Sequence, residues 1–120
     1  MPIDFLTLLD KTNSFLDQSS NTIMLTIPLL EISDDDIKLD KSCKLNSNCN
    51  TVIKCNIFEI STPNVSITNI NFEGALLVKE SNNFSISHSF LRKSKNLDGC
   101  LTIYSSENVT VSHLTISDSD

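Results

Sequence analysis

His88 and His113 are the two histidines of this 120-residue chain, and each closes a copy of one six-residue pattern: Asn83-Phe84-Ser85-Ile86-Ser87-His88 and Asn108-Val109-Thr110-Val111-Ser112-His113. Imidazole titrates near neutrality and ligates metals, so a pair at equivalent positions of a repeat is a candidate acid/base or ion site. An earlier copy, Asn64-Val65-Ser66-Ile67-Thr68-Asn69, has Asn69 in the same place. Two imidazoles without a third, carboxylate ligand make a poor metal centre. The expectation is therefore a ligand-face ladder of Asn69, His88 and His113 exposed at a bend, with no metal and no cofactor.

Other donor groups are no better placed. Asp34-Asp35-Asp36 offers hard oxygens, but no EF-hand spacing follows and calcium wants six or more donors, so a solvated turn is expected. Cys43, Cys49, Cys55 and Cys100 include no CxxC and no Cys/His ligand pairing, which argues against zinc. Thiols buried or half-buried in strands are the first reading, with a Cys43/Cys49 or Cys49/Cys55 bridge as the alternative.

Composition narrows the class. Nine basic residues against fifteen acidic ones give a net charge of −6, and no Lys/Arg cluster is interleaved with aromatics, which excludes nucleic acid as an expected partner. No apolar run approaches the ~20 residues of a membrane span. The opening Met1-Pro2-Ile3-Asp4-Phe5 lacks the basic start of a signal peptide; the parent protein's location stays open, with an extracellular or cell-surface setting as one option. Ser, Asn and Thr recur throughout, whereas there are only two glycines. Tight antiparallel hairpins need Gly, so Asn must supply many turns, since it tolerates left-handed backbone.

The repeat is what must position these groups. The three six-residue copies match position by position: Asn, apolar, hydroxyl, β-branched apolar, hydroxyl, then Asn or His. A strand precedes each copy, in Ile57-Phe58-Glu59-Ile60, Ala75-Leu76-Leu77-Val78 and Cys100-Leu101-Thr102-Ile103-Tyr104, and another apolar pair follows each. The anchors Asn64, Asn83 and Asn108 form a turn ladder, with the longer second interval placed in a loop over Arg92–Gly99. Period-two alternation puts Val65, Phe84 and Val109 and then Ile67, Ile86 and Val111 inside, stacked about 4.8 Å apart with the hydroxyls outside.

Earlier rungs are read in Thr22 to Ile27, Leu29 to Ile32, Ile37-Lys38-Leu39, Cys43-Lys44-Leu45 and Thr51-Val52-Ile53, with Pro28 tolerated on an end strand. Phe5, Leu6, Leu8, Leu9, Phe15 and Leu16 follow helical spacing, and a helix from about Ile3 to Asp17, capped by Asp4 or a neighbour, would plug the first rung. The fold expectation is all-β: a parallel β-helix (β-solenoid) with an N-terminal amphipathic capping helix in residues 1–20 and four to five rungs in 21–120. Val109 to Ile116 is still in full repeat, so the helix is expected to continue beyond Asp120; the alternative is that the acidic tail alone guards the edge. A small β-sandwich also has evenly spaced strands, but the scarcity of Gly and the like-for-like asparagines speak against it.

The runs Thr22 to Ile27, Ile37-Lys38-Leu39, Asn50-Thr51-Val52-Ile53 and Asn64-Val65-Ser66-Ile67 resemble the start of a right-handed parallel β-helix of the pectin-lyase-like superfamily, over residues 20 to 120. The resemblance implies right-handed coiling and a family that includes polysaccharide lyases, polygalacturonase-type hydrolases, tailspikes, adhesins and non-catalytic surface proteins. In the hydrolases an Asn-Thr-Asp-Gly stretch and an Asp-Asp pair one rung later supply the acid and base of inverting cleavage. Asn96-Leu97-Asp98-Gly99 is similar to the first element and Asp120 to the start of the second. Leu97 replaces the Thr, and the second Asp and the downstream basic elements are missing, so Asp98 and Asp120 are weak catalytic candidates against an ordinary turn.

Three function classes follow. The first is a non-catalytic module whose Ser/Thr/Asn-rich face binds polysaccharide or surface glycan. The second is a fragment or degenerate relative of a polysaccharide-cleaving enzyme. The third is a structural solenoid whose C-terminal edge stacks on another β-helix segment. Asn64-Val65-Ser66, Asn83-Phe84-Ser85 and Asn108-Val109-Thr110 are also N-glycosylation sequons, a coincidence the repeat itself accounts for.

Overall fold

In Thr22–Leu25, Ile23 and Leu25 are buried while Thr22 and Met24 are half-exposed, and the same period of two runs through all nine residues of Asn71–Lys79. Such segments lie flat with one apolar side and must stack that side on others. The computed structural model describes residues 3–12, 15–19, 21–32, 35–93 and 101–118, and in it the strands stack in three parallel columns.

The first column contains β3 (Thr22–Leu25), β6 (Lys44–Ser47), β8 (Ser66–Thr68) and the first halves of β10 (Ser85–Lys93) and β12 (Thr110–Asp118). Ile23, Leu45, Ile67, Ile86 and Val111 share one register line along it. The second column contains β4 (Leu29–Glu31), the first parts of β7 (Val52–Ile60) and β9 (Asn71–Lys79), and the second halves of β10 and β12. Leu30, Ile53, Phe72, Leu91 and Ile116 are its register line. The third contains β1 (Ile3–Asp4), β5 (Ile37–Leu39), the second parts of β7 and β9, and β11 (Leu101–Tyr104). Every strand of these columns pairs in parallel with the equivalent strand of a neighbouring turn, which makes a parallel β-solenoid of about four turns.

β7 and β9 pass from the second column to the third without a break, and the bend is taken by a register shift between Lys54 and Ile57. Gly74 lies opposite this bulge with φ +143°, and a Cβ there would sit 2.2 Å from the Cys55 carbonyl oxygen. Only glycine fits that position. Pro28 falls between β3 and β4 rather than within a strand, and its carbonyl accepts from the Val52 N–H at 2.9 Å.

The N-terminal helix is shorter than its hydrophobic spacing suggests: α1 spans Phe5–Thr12, and Phe15 and Leu16 belong instead to β2 (Phe15–Ser19). Thr12, Asn13 and Ser14 are weak helix formers, and β2 pairs antiparallel with β3, satisfying a strand edge that a longer helix would leave bare. The Asp4 carboxylate accepts from the Thr7 N–H at 3.0 Å and from its hydroxyl at 2.8 Å, capping the helix start as its sequence position suggests. Phe5, Leu8 and Leu9 are buried, and Phe5 opens an edge-to-face aromatic series through Phe58 to Phe72, with centroids 5.0 and 5.1 Å apart.

The opposite end is different. Val111 and Ile116 stand in the inward register lines yet are 44% and 52% exposed, although the residues they stack on, Ile86 and Leu91, are fully buried. Arg92 and Lys93, placed in a loop by the sequence reading, continue β10; the rest of that loop, including Asp98 and Cys100, lies outside the described residues, as does Asp120.

Candidate functional site: a hydroxyl face between two corner ladders

Because inward positions of the first column are apolar, the alternate positions face outward, and there the repeat places hydroxyls. Ser66, Ser85 and Thr110 share one register line and Thr68, Ser87 and Ser112 the next. The Ser66 and Ser85 hydroxyls are 3.0 Å apart and those of Thr68 and Ser87 are 3.4 Å apart, so the files are ordered by their own hydrogen bonds. Lys44 precedes Ser66 in the first file.

The corner before this face is built by asparagine. Asn21, Asn64, Asn83 and Asn108 have φ of 62°, 59°, 62° and 58°, the left-handed conformation that asparagine tolerates. Asn83 Nδ2 donates to Asn64 Oδ1 at 3.0 Å, and Asn108 Nδ2 donates to Asn83 Oδ1 at 3.1 Å. These three residues of the expected turn ladder are thus joined side chain to side chain.

The corner after the face repeats the conformation at Asn50, Asn69, His88 and His113, with φ of 54°, 59°, 50° and 47°. The structure brings the two imidazoles together: their rings stack with centroids 4.6 Å apart and planes inclined by 7°. Both are exposed. Asn69 holds the equivalent backbone position but turns its amide back to Asn46 Oδ1 at 3.2 Å, so the side-chain ladder of Asn69, His88 and His113 is continuous only across its two histidines.

Sequence reasoning did not find the hydroxyl knot at the corner one turn earlier. Ser47 and Thr51 are buried with their oxygens 2.7 Å apart; Ser47 Oγ accepts from the Cys49 and Thr51 N–H groups, and Thr51 Oγ1 donates to the Ile27 carbonyl at 2.6 Å. Its signal, two hydroxyl residues four apart around a Cys-Asn turn, is too common to stand out. The knot satisfies corner amides and is structural.

Of the remaining candidates, Asp35 and Asp36 are used by the fold, and Asp34 lies outside the described residues. The Asp35 carbonyl and the Asp36 carboxylate accept from the backbone and side-chain amides of Asn56, each at 2.8 Å. Cys43, Cys49 and Cys55 are all free, so neither candidate bridge forms among the described residues. Burial raises the Cys43 thiol to about 11; burial and then the Asp36 charge raise Cys55 to about 12, which makes both poor nucleophiles. Cys49 is exposed. No group of three or more His, Cys, Asp or Glu residues converges on a point among the described residues. On the third column Glu59 lies between Lys38 at 3.9 Å and Lys79 at 3.8 Å, and on the second Lys54 meets Glu73 at 3.8 Å; these half-exposed ion pairs knit neighbouring turns and contribute little each.

Fold and face together define a parallel β-solenoid with one ordered polar face. No described helix is long and apolar enough to cross a membrane. Comparison with family models, curated protein sequences and solved structures gives no match to the chain.

Proposed function

We propose that this chain is a non-catalytic β-solenoid module, of the right-handed pectin-lyase-like kind its sequence resembles, that binds glycan along the outward side of its first column. The observation that carries the reading is the pairing of Ser66 with Ser85 and of Thr68 with Ser87, which fixes two files of hydroxyls between the asparagine corner and the exposed imidazoles. Hydroxyls both donate and accept, so such files can exchange their mutual hydrogen bonds for those of a saccharide. The rung spacing of about 4.8 Å, on the order of one pyranose ring, lets successive sugars meet equivalent groups. The side chains sit on strands, so little ordering cost opposes binding. Affinity electrophoresis against neutral and acidic polysaccharides tests this: retardation by at least one class is expected, and free migration in all would defeat it.

A second reading, a solenoid whose end stacks on another β-helix segment, is favoured by the exposure of Val111 and Ile116 in otherwise buried register lines. The hydrolase reading depends on Asp98 and Asp120, which lie outside the described residues, and gains no support from the geometry.

A further inference from the structure

We infer that the corner at His88 and His113 is a saccharide subsite: the stacked imidazoles clamp two adjacent hydroxyls of one pyranose, and Phe90 receives the apolar C–H side of the sugar. The inference rests on the glycan reading and names the part of the sugar that this corner recognises. The repeat itself marks the position. Asn50 and Asn69 hold it in the earlier turns; His88 and His113 keep the same left-handed backbone, at φ 50° and 47°, with a ring in place of an amide. Asn69 spends its amide on Asn46 Oδ1, whereas among the described residues neither imidazole makes a hydrogen bond, and both are exposed. The change of residue type thus replaces a self-satisfied corner by one with polar edges open to a ligand.

The ring arrangement selects a ligand with two oxygens side by side. Planes inclined by only 7°, with centroids 4.6 Å apart, keep the in-plane nitrogens of the two rings on nearly parallel lines that do not meet at one atom. A vicinal diol holds its two oxygens about 2.8 Å apart, close to a hydrogen-bond length. Bonds of about 2.9 Å from the two rings to such a pair lean towards each other by about 20° and keep N–H···O angles of about 150°. A half-turn of either exposed ring about its Cβ–Cγ bond exchanges its edges and preserves the stack, so like nitrogens can stand side by side. A sugar hydroxyl donates and accepts, and neutral imidazole offers one N–H and one acceptor nitrogen, so either edge finds a partner.

The neighbours fit the same ligand. Ser87 and Ser112, paired in register, close the hydroxyl file immediately before the corner. Beyond it the next outward side chain of β10 is Phe90, 38% exposed, with Thr115 at the equivalent place one turn on. The Phe90 N–H donates to Asn71 Oδ1 at 3.0 Å, so the backbone that carries the ring is fixed to the turn beneath. An exposed aromatic ring next to a few placed polar groups offers a flat apolar surface to the C–H side of a pyranose while its hydroxyls are held.

The chain has only two histidines, so imidazole C–H proton resonances report this corner alone. Dextran, mannan and alginate are added to the intact chain at constant pH, each whole and after periodate cleavage of its vicinal diols and borohydride reduction, and followed by NMR and affinity electrophoresis. With any polysaccharide that retards the protein, both imidazole sets are expected to shift together and saturably, and the diol-cleaved form to bind about tenfold more weakly. His88→Asn and His113→Asn install the residue the repeat uses at Asn69, and Phe90→Thr that of Thr115. Each should bind about fivefold more weakly or worse with the circular dichroism unchanged. Retardation with unmoved imidazole resonances, equal binding of the diol-cleaved form, or wild-type affinity in the variants would overturn the subsite and leave the glycan reading standing. No retardation by any of the polysaccharides would overturn both.

Discussion

Asn83 donates its side-chain amide to the Asn64 carboxamide oxygen at 3.0 Å, although 19 residues separate the two, and it accepts the same bond from Asn108, 25 residues further on. Turns of unequal length therefore return to the same corner, and the left-handed asparagine is the fixed point to which each returns. The register of the hydroxyl face is unbroken from Ser66 to Thr110 across turns of both lengths.

The corner residue thus has two separable roles. Asn83→Gly keeps access to φ 62° and loses the ladder, whereas Asn83→Ala loses both. Urea unfolding should show a loss of about 1–2 kcal/mol for the glycine variant and about 1 kcal/mol more for the alanine variant. Equal losses would mean that backbone conformation contributes nothing at this corner.

At the bulge, Gly74→Ala drives a methyl group into the Cys55 carbonyl and forces a non-glycine residue to φ +143°. A destabilisation of about 2 kcal/mol or more is expected in the same unfolding assay. A variant as stable as wild type would show that the bend from the second column to the third is made differently.

Burial of Cys43 and Cys55 has a pH consequence of definite sign. Both thiols are raised above the ordinary 9.0, so above about pH 9 the unfolded chain gives up these protons before the folded chain does. Stability should fall as pH rises from 9.0 towards 11 and 12, and Cys43→Ala with Cys55→Ala should flatten that dependence. Peptide-resolved alkylation at about pH 8 should modify Cys49 well before either buried thiol. Early modification of Cys55 would contradict the burial.

Exposed Val111 and Ile116 predict association through the C-terminal end at high concentration. Sedimentation velocity over a concentration series should show it, and Ile116→Lys should abolish it while leaving the circular dichroism unchanged. A wild type that stays monomeric throughout would remove the stacking reading.

The solenoid was legible because two signals coincide: apolar residues at every second place, and an asparagine at the start of each copy. Ile67, Ile86 and Val111 fell into one register line for that reason. Phe15 and Leu16 misled, because their spacing from Phe5 fits a helix while the exposed edge of β3 selects a strand, and edge demand is invisible in a local pattern. The site was legible as columns of residue types and not as contacts. Like-for-like repetition places Asn83 on Asn64 and His113 on His88, but that Asn69 turns aside to Asn46 depends on an asparagine standing, in the previous turn, where the later copies have a hydroxyl residue. Cys49 and its hydroxyl knot were illegible because a satisfied corner and an idle one have the same composition.

The most direct test of the glycan-binding account is an equilibrium isotherm for the polysaccharide that retards the protein most, measured with wild type and with Ser85→Ala/Ser87→Ala, while reducing ends are counted. The account predicts saturable binding, a loss of at least tenfold in the double variant with the fold retained by circular dichroism, and no release of reducing ends. Binding indifferent to both substitutions, or cleavage that disappears in Asp98→Asn, would contradict it.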